Sequence, residues 1–320
     1  MPYFLLDRAR VCLLLSLVLV AHLGFSQAAG VPVQKLVLQS PPATAASSES
    51  AHSSPGAKTI PLFGHVFVVV EENHSYSNVI GNRAMPYLNE LAKQYGLATE
   101  YYANTHPSIG NYFMMTTGQI ITNDDSFMGT VSADNAVRRL ITGGKTWKSY
   151  AESLPDVGYI GGDVYPYVRH HNPLSYLSDV VHSRSERNNL VPFTQFLDDL
   201  NNNHLPQYSF IVPNMLNDAH DGSLGAADNW LKKNIGPLLG DSAFRKDGLL
   251  VILFDESLTS DRQHGGGHVA AVVISPKAKR SYQSRTLYQH QSVCRLLLEG
   301  LGLKEFPGAA KKAPAMGEFF

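Results

Sequence analysis

Acids, an amide and histidines follow short apolar runs in this sequence, and these residue types bind divalent cations. The first run, residues 66–70, is followed by Glu72 and Asn73. Carboxylates at the end of a buried apolar segment are unfavourable unless they bind something. Two further apolar runs are followed by acids, namely 208–212 by Asp218 and 249–254 by Asp255. Three such positions predict a cation site where the three runs end.

Seven residues are candidate ligands for this cation: Glu72, Asn73, Asp218, His220, Asp255, Glu256 and His268. Carboxylates with imidazoles suit Zn, Mn, Fe, Mg or Ca, and the excess of carboxylates favours the harder ions. Without a cation these acids would repel one another. Two alternatives stay open, because the acids could form structural ion pairs with arginines and Asn73 could cap a helix. We expect one or two divalent cations per chain.

Ser108 is the candidate nucleophile. It follows Pro107 and precedes a helical pattern, where backbone amides favour an anion. A serine hydroxyl becomes an effective nucleophile when a metal activates it. Together with Asn111, these groups could bind a tetrahedral anion and support phosphoryl transfer. The alternative is that Ser108 is only a helix N-cap.

The apolar runs are typical of buried strands, and in open α/β sheets ligands bind at the carboxyl ends of such strands. A fourth strand, at 269–274, follows His268, so it is either antiparallel or reached by a loop that crosses the site. Helices are expected at 86–95, 132–140, 146–153, 193–200, 226–239 and 286–298, with a short strand at 159–162. The first helix should start at Pro86 and be capped by Gly96. Strands that alternate with helices predict an α/β fold with a mostly parallel sheet.

Length and composition predict one globular domain behind an export signal. The chain has 320 residues, is 44% hydrophobic and 17% charged, and has a formal net charge of −1, which does not indicate nucleic-acid binding. Residues 1–29 have the basic start, apolar core and small-residue cleavage site of a signal peptide, and an uncleaved anchor is the alternative. Residues 30–60 are expected to be a disordered linker and residues 61–320 the domain. We therefore expect a periplasmic or extracellular protein without stable membrane insertion after cleavage.

Five segments together resemble the secreted phosphoesterase family, which contains bacterial and fungal acid phosphatases and phosphatidylcholine-type phospholipases C. The segments are Glu-Glu-Asn-His-Ser at 71–75, His-Pro-Ser-Ile-Gly-Asn-Tyr at 106–112, Arg-His-His-Asn-Pro at 169–173, the acidic stretch 213–221 and Phe-Asp-Glu at 254–256. The family belongs to the alkaline phosphatase-like superfamily. The resemblance therefore implies a three-layer α/β/α sandwich with a mostly parallel central sheet, and it extends from about His65 to the C-terminus.

The resemblance also implies roles for the candidate residues. Ser108 would be the nucleophile, Asn111 would contact the phosphoryl oxygens and His171 would lie beside the leaving group. Glu72 and Asn73 would bind metal. The metal and phosphate shell would be completed by Asp218, His220, Asp255 and Glu256. In the wider superfamily a histidine usually replaces Glu256, so one metal, or a different metal, could be present here.

The expected activity is hydrolysis of small, soluble phosphomonoesters. A phospholipase C-type phosphodiesterase is the alternative within the same class. A secreted protein that binds phosphate or metal without catalysis is the alternative of another class, and it would have no need of a nucleophile at Ser108. His106 and His170 are expected to be structural, and the sequence does not indicate the oligomeric state.

Overall fold

A computed structural model describes residues 59–320, so the expected signal peptide and nearly all of the expected linker lie outside the described residues. The strands are β1 His65–Glu71, β2 Gly96–Ala98, β3 Tyr101–Tyr102, β4 Trp147–Ala151, β5 Leu190–Pro192, β6 Tyr208–Val212, β7 Gly248–Phe254, β8 Ala271–Ile274, β9 Tyr282–Ser284 and β10 Tyr288–Gln289. The helices are α1 Tyr76–Val79, α2 Pro86–Gln94, α3 Ser108–Thr117, α4 Ala136–Thr142, α5 Ser178–Val181, α6 Arg184–Arg187, α7 Thr194–Asn201, α8 Leu224–Trp230, α9 Gly236–Gly240, α10 Ser242–Asp247 and α11 His290–Gly300. A π-helix spans Leu231–Ile235, and 3-10 helices span Arg169–His171, Pro173–Tyr176, Gly308–Lys311 and Gly317–Phe319.

The central sheet has eight strands in the order β5-β4-β6-β1-β7-β8-β2-β9. Within the described chain, β8 alone runs opposite to its sheet partners, because its pairings with β7 and β2 are antiparallel. The three apolar runs form β6, β1 and β7, which are adjacent and parallel, with Val68 paired to both Phe210 and Val251. Their carboxyl ends therefore meet at one edge of the sheet, as the sequence predicted.

Helices cover both faces of this sheet, which makes a three-layer sandwich. On one face, the Phe67 ring of β1 lies 6.4 Å from that of Phe196 in α7 and 6.1 Å from that of Phe244 in α10. On the other face, α11 contacts β1, β7, α3 and α4. Among the helices described in residues 59–320, none is both long and apolar enough to cross a bilayer.

The helix expected at 146–153 is wrong, because residues Trp147–Ala151 form β4 between β5 and β6. Long-range partners stabilise the extended conformation. The Ser149 hydroxyl donates to Asn172 Oδ1 at 2.7 Å, and the Tyr150 hydroxyl donates to Asp199 Oδ2 at 2.7 Å. Tertiary contacts thus override the local helical pattern.

Two smaller expectations are also wrong. Residues 159–162 are irregular, with bends at 161 and 162, rather than a strand. Gly96 does not cap α2 but begins β2, and a Cβ at this position would lie 2.4 Å from the Phe319 ring. Phe319 in the C-terminal segment packs so closely here that a residue with a side chain would not fit. The fourth strand is present as β8, and of the two alternatives its direction is antiparallel.

Candidate active site

Backbone hydrogen bonds join the ends of the three central strands. The Glu72 amide donates to the Asp218 carbonyl at 2.8 Å, and the Asp255 amide donates to the Glu71 carbonyl at 2.9 Å. The Asn73 amide donates to Asp255 Oδ1 at 3.2 Å, with Asn73 at a φ of 52°. Asparagine tolerates this left-handed conformation better than most residues. The strand register therefore brings the three predicted acids together.

Ser108 is the first residue of α3 and lies against these acids. Its side chain is buried, and its hydroxyl donates to Glu72 Oε2 at 3.3 Å, with Asn73 Oδ1 at 3.5 Å. Pro107 occupies the N-cap position of the ten-residue helix. The Ser108 hydroxyl is directed at the carboxylate group and not at the amides of its own helix.

His171 lies between the carboxylates of Glu72 and Asp218. Its Nε2 is 3.5 Å from Glu72 Oε2 and its Nδ1 is 3.5 Å from Asp218 Oδ2. The ring stacks on Tyr112, with centroids 5.1 Å apart, and the Tyr112 hydroxyl donates to Glu72 Oε1. Among the described residues, neither ring nitrogen of the buried His171 forms a hydrogen bond.

These residues fit a divalent cation. Glu72, His171 and Asp218 offer ligand atoms that all lie within 4.8 Å of one another. Asp218 Oδ2 and Asp255 Oδ2 are buried and have no hydrogen-bond partner in the described part of the chain. Unpaired carboxylate oxygens and imidazole nitrogens at this spacing are suitable cation ligands.

The electrostatics of the site favour the same interpretation. Burial, followed by repulsion from Asp255 and Asp218, raises the pKa of Glu72 well above its usual value. Burial also raises the pKa of Asp218 to about 8, that of Asp255 to about 6 and that of Glu256 to about 9. Burial lowers the pKa of His171 well below its usual value. The ionised acids are therefore unfavourable in this site unless a cation compensates them.

Asn111 and Glu256 lie beside this group and are linked to each other. Asn111 Oδ1 accepts the amides of Asn104 and Thr105 at 2.9 and 3.1 Å, and its Nδ2 lies 3.5 Å from Glu256 Oε2. Glu256 Oε2 also lies 3.0 Å from His106 Nδ1. Asn111 thus holds the segment that leads to Ser108, and its role at the phosphoryl oxygens stays a prediction.

Two predicted ligands, His268 and His220, do not have their rings in the buried group, although the His220 amide donates to Asp218 Oδ1 at 2.8 Å. His268 stacks between Tyr76 and Tyr102, with ring centroids 4.4 and 4.8 Å away, and its Nε2 lies 2.9 Å from the Thr99 carbonyl. His220 is exposed, and its Nδ1 lies 2.8 Å from Asp221 Oδ1, with its ring 6.0 Å from that of His171. His170 contacts the His171 ring edge-on at 4.5 Å.

Sequence reasoning did not single out three residues that contact the site. Tyr112 lies four residues after Ser108, on the same side of α3, and this spacing is the signal that could have identified it. His290 Nε2 lies against the Asp255 carbonyl, and its Nδ1 is 3.0 Å from the Tyr101 hydroxyl. Asp125 Oδ1 accepts the Ile109 amide at 3.1 Å. The last two contacts are long-range and have no local signature.

Comparisons of sequence show which known proteins this chain resembles. The sequence profile of the Phosphoesterase family matches residues 82–304. The chain is 34% identical to the probable acid phosphatase of Kluyveromyces lactis over 72% of its own length and 56% of that protein. It is 31% identical to the phosphatidylinositol-3-phosphatase of Mycobacterium tuberculosis over 82% of its own length and 85% of that protein. The chain thus spans about half the length of the acid phosphatases that it matches.

Comparisons of structure show the fold. A protein of the alkaline phosphatase superfamily from Vibrio parahaemolyticus superposes with a TM-score of 0.57 at 11% identity, over 82% of this chain and 73% of that one. The lipoteichoic acid synthase of Listeria monocytogenes superposes with a TM-score of 0.55 at 10% identity, over 76% of this chain and 74% of that one. The expected alkaline phosphatase-like α/β sandwich is therefore confirmed.

Proposed function

Because the chain belongs to the Phosphoesterase family, we propose that it is a hydrolase that cleaves phosphomonoesters with Ser108 as the nucleophile and a divalent cation in the strand-end site. The contact between the Ser108 hydroxyl and Glu72 supports this proposal most directly, since the hydroxyl lies at a helix N-terminus within a group of potential metal ligands.

The cation would be held by Glu72, His171 and Asp218, the three residues whose ligand atoms converge. Asn73 and Asp255 lie on the side of Ser108, and Asp255 has a free buried oxygen there. When bound, a divalent cation lowers the pKa of a nearby hydroxyl and neutralises charge on the phosphoryl group. One cation or two would fit the donor set, and the carboxylates favour the harder ions.

Residues of the chain itself attack and hold the phosphoryl group. Ser108 Oγ attacks phosphorus and gives up its proton to solvent water while the P–O bond to the alcohol breaks, and the departing alcohol oxygen takes a proton from solvent water. The amides of the first turn of α3 hold the phosphoryl oxygens. Attack by water on the phosphoserine then cleaves its P–O bond, releases phosphate and restores the Ser108 hydroxyl. The His171 ring, whose plane Tyr112 fixes, would lie beside the leaving group while it holds the cation.

The Ser108→Ala variant tests this proposal on a soluble aryl phosphate. If Ser108 is the nucleophile, the variant should retain its fold and its metal and lose several orders of magnitude in rate. If Ser108 were only a helix cap, the variant would lose about 1 kcal/mol of stability and keep its turnover. A stable, fully active Ser108→Ala protein would refute the covalent mechanism and favour the alternative of a binding protein.

A phospholipid substrate is the second candidate, and it rests on two exposed apolar side chains beside the site. Leu216, two residues before Asp218, is 45% exposed, and Tyr165 is 62% exposed. Asp221 and Asp218 are among the causes that raise the pKa of Tyr165, so this ring lies near the acids. The relative from Mycobacterium tuberculosis carries the name of a lipid phosphatase. A panel of an aryl phosphate, phosphatidylinositol-3-phosphate vesicles and phosphatidylcholine vesicles ranks these substrates.

Export is proposed from the sequence of residues 1–29, and cleavage should leave a mature chain that starts near Ala29. N-terminal sequencing of protein from the medium or periplasm tests this proposal. Exported protein that still starts at Met1 would contradict it.

A further inference from the structure

A carboxylate from a loop is hydrogen-bonded to the backbone amide of the residue that follows the proposed nucleophile. Asp125 Oδ1 accepts the Ile109 amide at 3.1 Å. Ile109 is the second residue of α3, so this amide points out of the helix N-terminus beside Ser108. An anion bound there would need the same donor, because the first amides of a helix have no partner within the helix.

The loop around Asp125 packs tightly over this first turn. A Cβ on Gly110 would lie 2.4 Å from Asn123 Oδ1 and 3.2 Å from the Thr122 carbonyl. The absence of a side chain at Gly110 therefore allows the loop to approach α3. The contact between Asp125 and Ile109 follows from that approach.

Electrostatic interactions with residues of other elements also indicate that Asp125 lies near the site. Its carboxylate is among the causes that raise the pKa of Glu256 and Tyr176, and it opposes the lowering of the His170 pKa by burial. These three residues face Asp125 from the segment that follows β7 and from the 3-10 segments, and Asp124 is its acidic neighbour in the loop. Within residues 59–320, the described salt bridges of lysines and arginines involve Asp134, Asp179, Asp199, Glu299 and Glu305 rather than Asp125. Its negative charge therefore adds to the field that an incoming phosphate meets.

We propose that Asp125 determines which charge state of a phosphate group the site accepts. Its carboxylate is hydrogen-bonded to the Ile109 amide, and the ligand must displace this carboxylate to reach the amide. This role rests on the proposed function of the same site. The Asp125 carboxylate repels a dianionic ligand about twice as strongly as a monoanionic one, so the site disfavours dianionic phosphate relative to monoanionic phosphate. A phosphomonoester loses its second proton at a pKa of about 6, so the monoanion that the site prefers is the form present under acidic conditions.

The Asp125→Asn variant tests this role because the asparagine amide oxygen still accepts the Ile109 amide. The matched control is Asp124→Asn, which removes the same charge one residue away. Asp124 is exposed, and its Oδ1 binds the amide and hydroxyl of Ser126 at 3.0 and 2.6 Å. Binding of inorganic phosphate and of sulfate to the full chain, loaded with its divalent cation, is measured by calorimetry near pH 5 and near pH 8. Melting temperatures of all proteins verify that the variants are folded.

Relative to Asp124→Asn, the Asp125→Asn protein should bind phosphate at least about tenfold tighter near pH 8, where phosphate is mainly dianionic. The gain should be clearly smaller near pH 5, where phosphate is the monoanion. Sulfate, a dianion at both pH values, should bind tighter at both. An equal gain for phosphate at both pH values, no gain, weaker binding, or no phosphate binding by either variant would overturn the role of Asp125. Hydrolysis by the wild-type chain is scored separately, so its absence alongside the expected binding pattern would reject only the proposed function.

Discussion

Removing the cation should make the stability of the protein fall as the pH rises above 7. In the metal-free fold, burial raises the pKa of Asp218 to about 8 and that of Glu256 to about 9. In the unfolded chain the corresponding values are about 3.9 and 4.3. Between pH 7 and 8 the native state therefore binds more protons than the unfolded state, and its stability must decrease with pH. This stability is fully present below the unfolded pKa values and is lost as the pH rises through the folded values.

The size of the effect follows from the number of protonated carboxyls. Each carboxyl that stays protonated in the fold costs about 1.4 kcal/mol per pH unit. Asp218 and Glu256 together give about 2–3 kcal/mol between pH 7 and 8, because Asp218 is already half titrated at the upper limit. Glu72, whose pKa burial also raises well above its usual value, adds to this fall. For a domain of this size the melting temperature should fall by about 5–10 °C.

The assay is thermal melting of chelated protein at pH 7 and pH 8, with and without added cation. A cation at about 100 times its dissociation constant adds about 2.7 kcal/mol, and it should remove the fall with pH because it replaces the protons. The matched variant Glu256→Gln cannot titrate at that position, so its metal-free slope should be smaller by about 1.4 kcal/mol per pH unit. A melting temperature of the chelated protein that does not change between pH 7 and 8, or an unchanged slope in Glu256→Gln, would refute this reasoning.

Three further outcomes follow from the site. Asp255→Asn should retain the fold but bind less cation, and metal analysis of purified protein checks this. Tyr112→Phe keeps the ring on His171 but leaves Glu72 Oε1 without its donor, so unfolding experiments should show a loss of about 1–3 kcal/mol. His290→Leu removes the buried contact with the Asp255 carbonyl and should weaken cation affinity, measured by calorimetry, more than the exposed substitution His264→Leu does.

The strands that carry the acids could be predicted because their signal is local. β1, β6 and β7 consist mostly of apolar residues, and a buried parallel strand is typical of such runs. β4 could not be predicted in this way. Its residues include Lys148 and Ser149, and the extended conformation depends on pairing with β5 and β6 and on distant partners such as Asn172. Pairing between distant segments leaves no local pattern.

The positions of the histidines also could not be predicted from local sequence patterns. A histidine that is close to acids in the sequence can have other contacts in the fold. The His268 ring, for example, stacks between two tyrosine rings. His171 lies in a polar loop with no apolar run before it, and its place between Glu72 and Asp218 arises from packing on Tyr112. Residue types and motifs indicated the chemistry of the site, whereas the placement of each imidazole depended on the tertiary structure.

Acid quenching of the metal-loaded protein during turnover of an aryl phosphate, followed by mass spectrometry of its peptides, tests the central claim most directly. A phosphoserine is stable in acid, so the phosphorylated enzyme should be trapped with the added group on Ser108 and on no residue of the Ser108→Ala protein. Turnover without any phosphorylated peptide, together with retained activity in Ser108→Ala, would contradict the account.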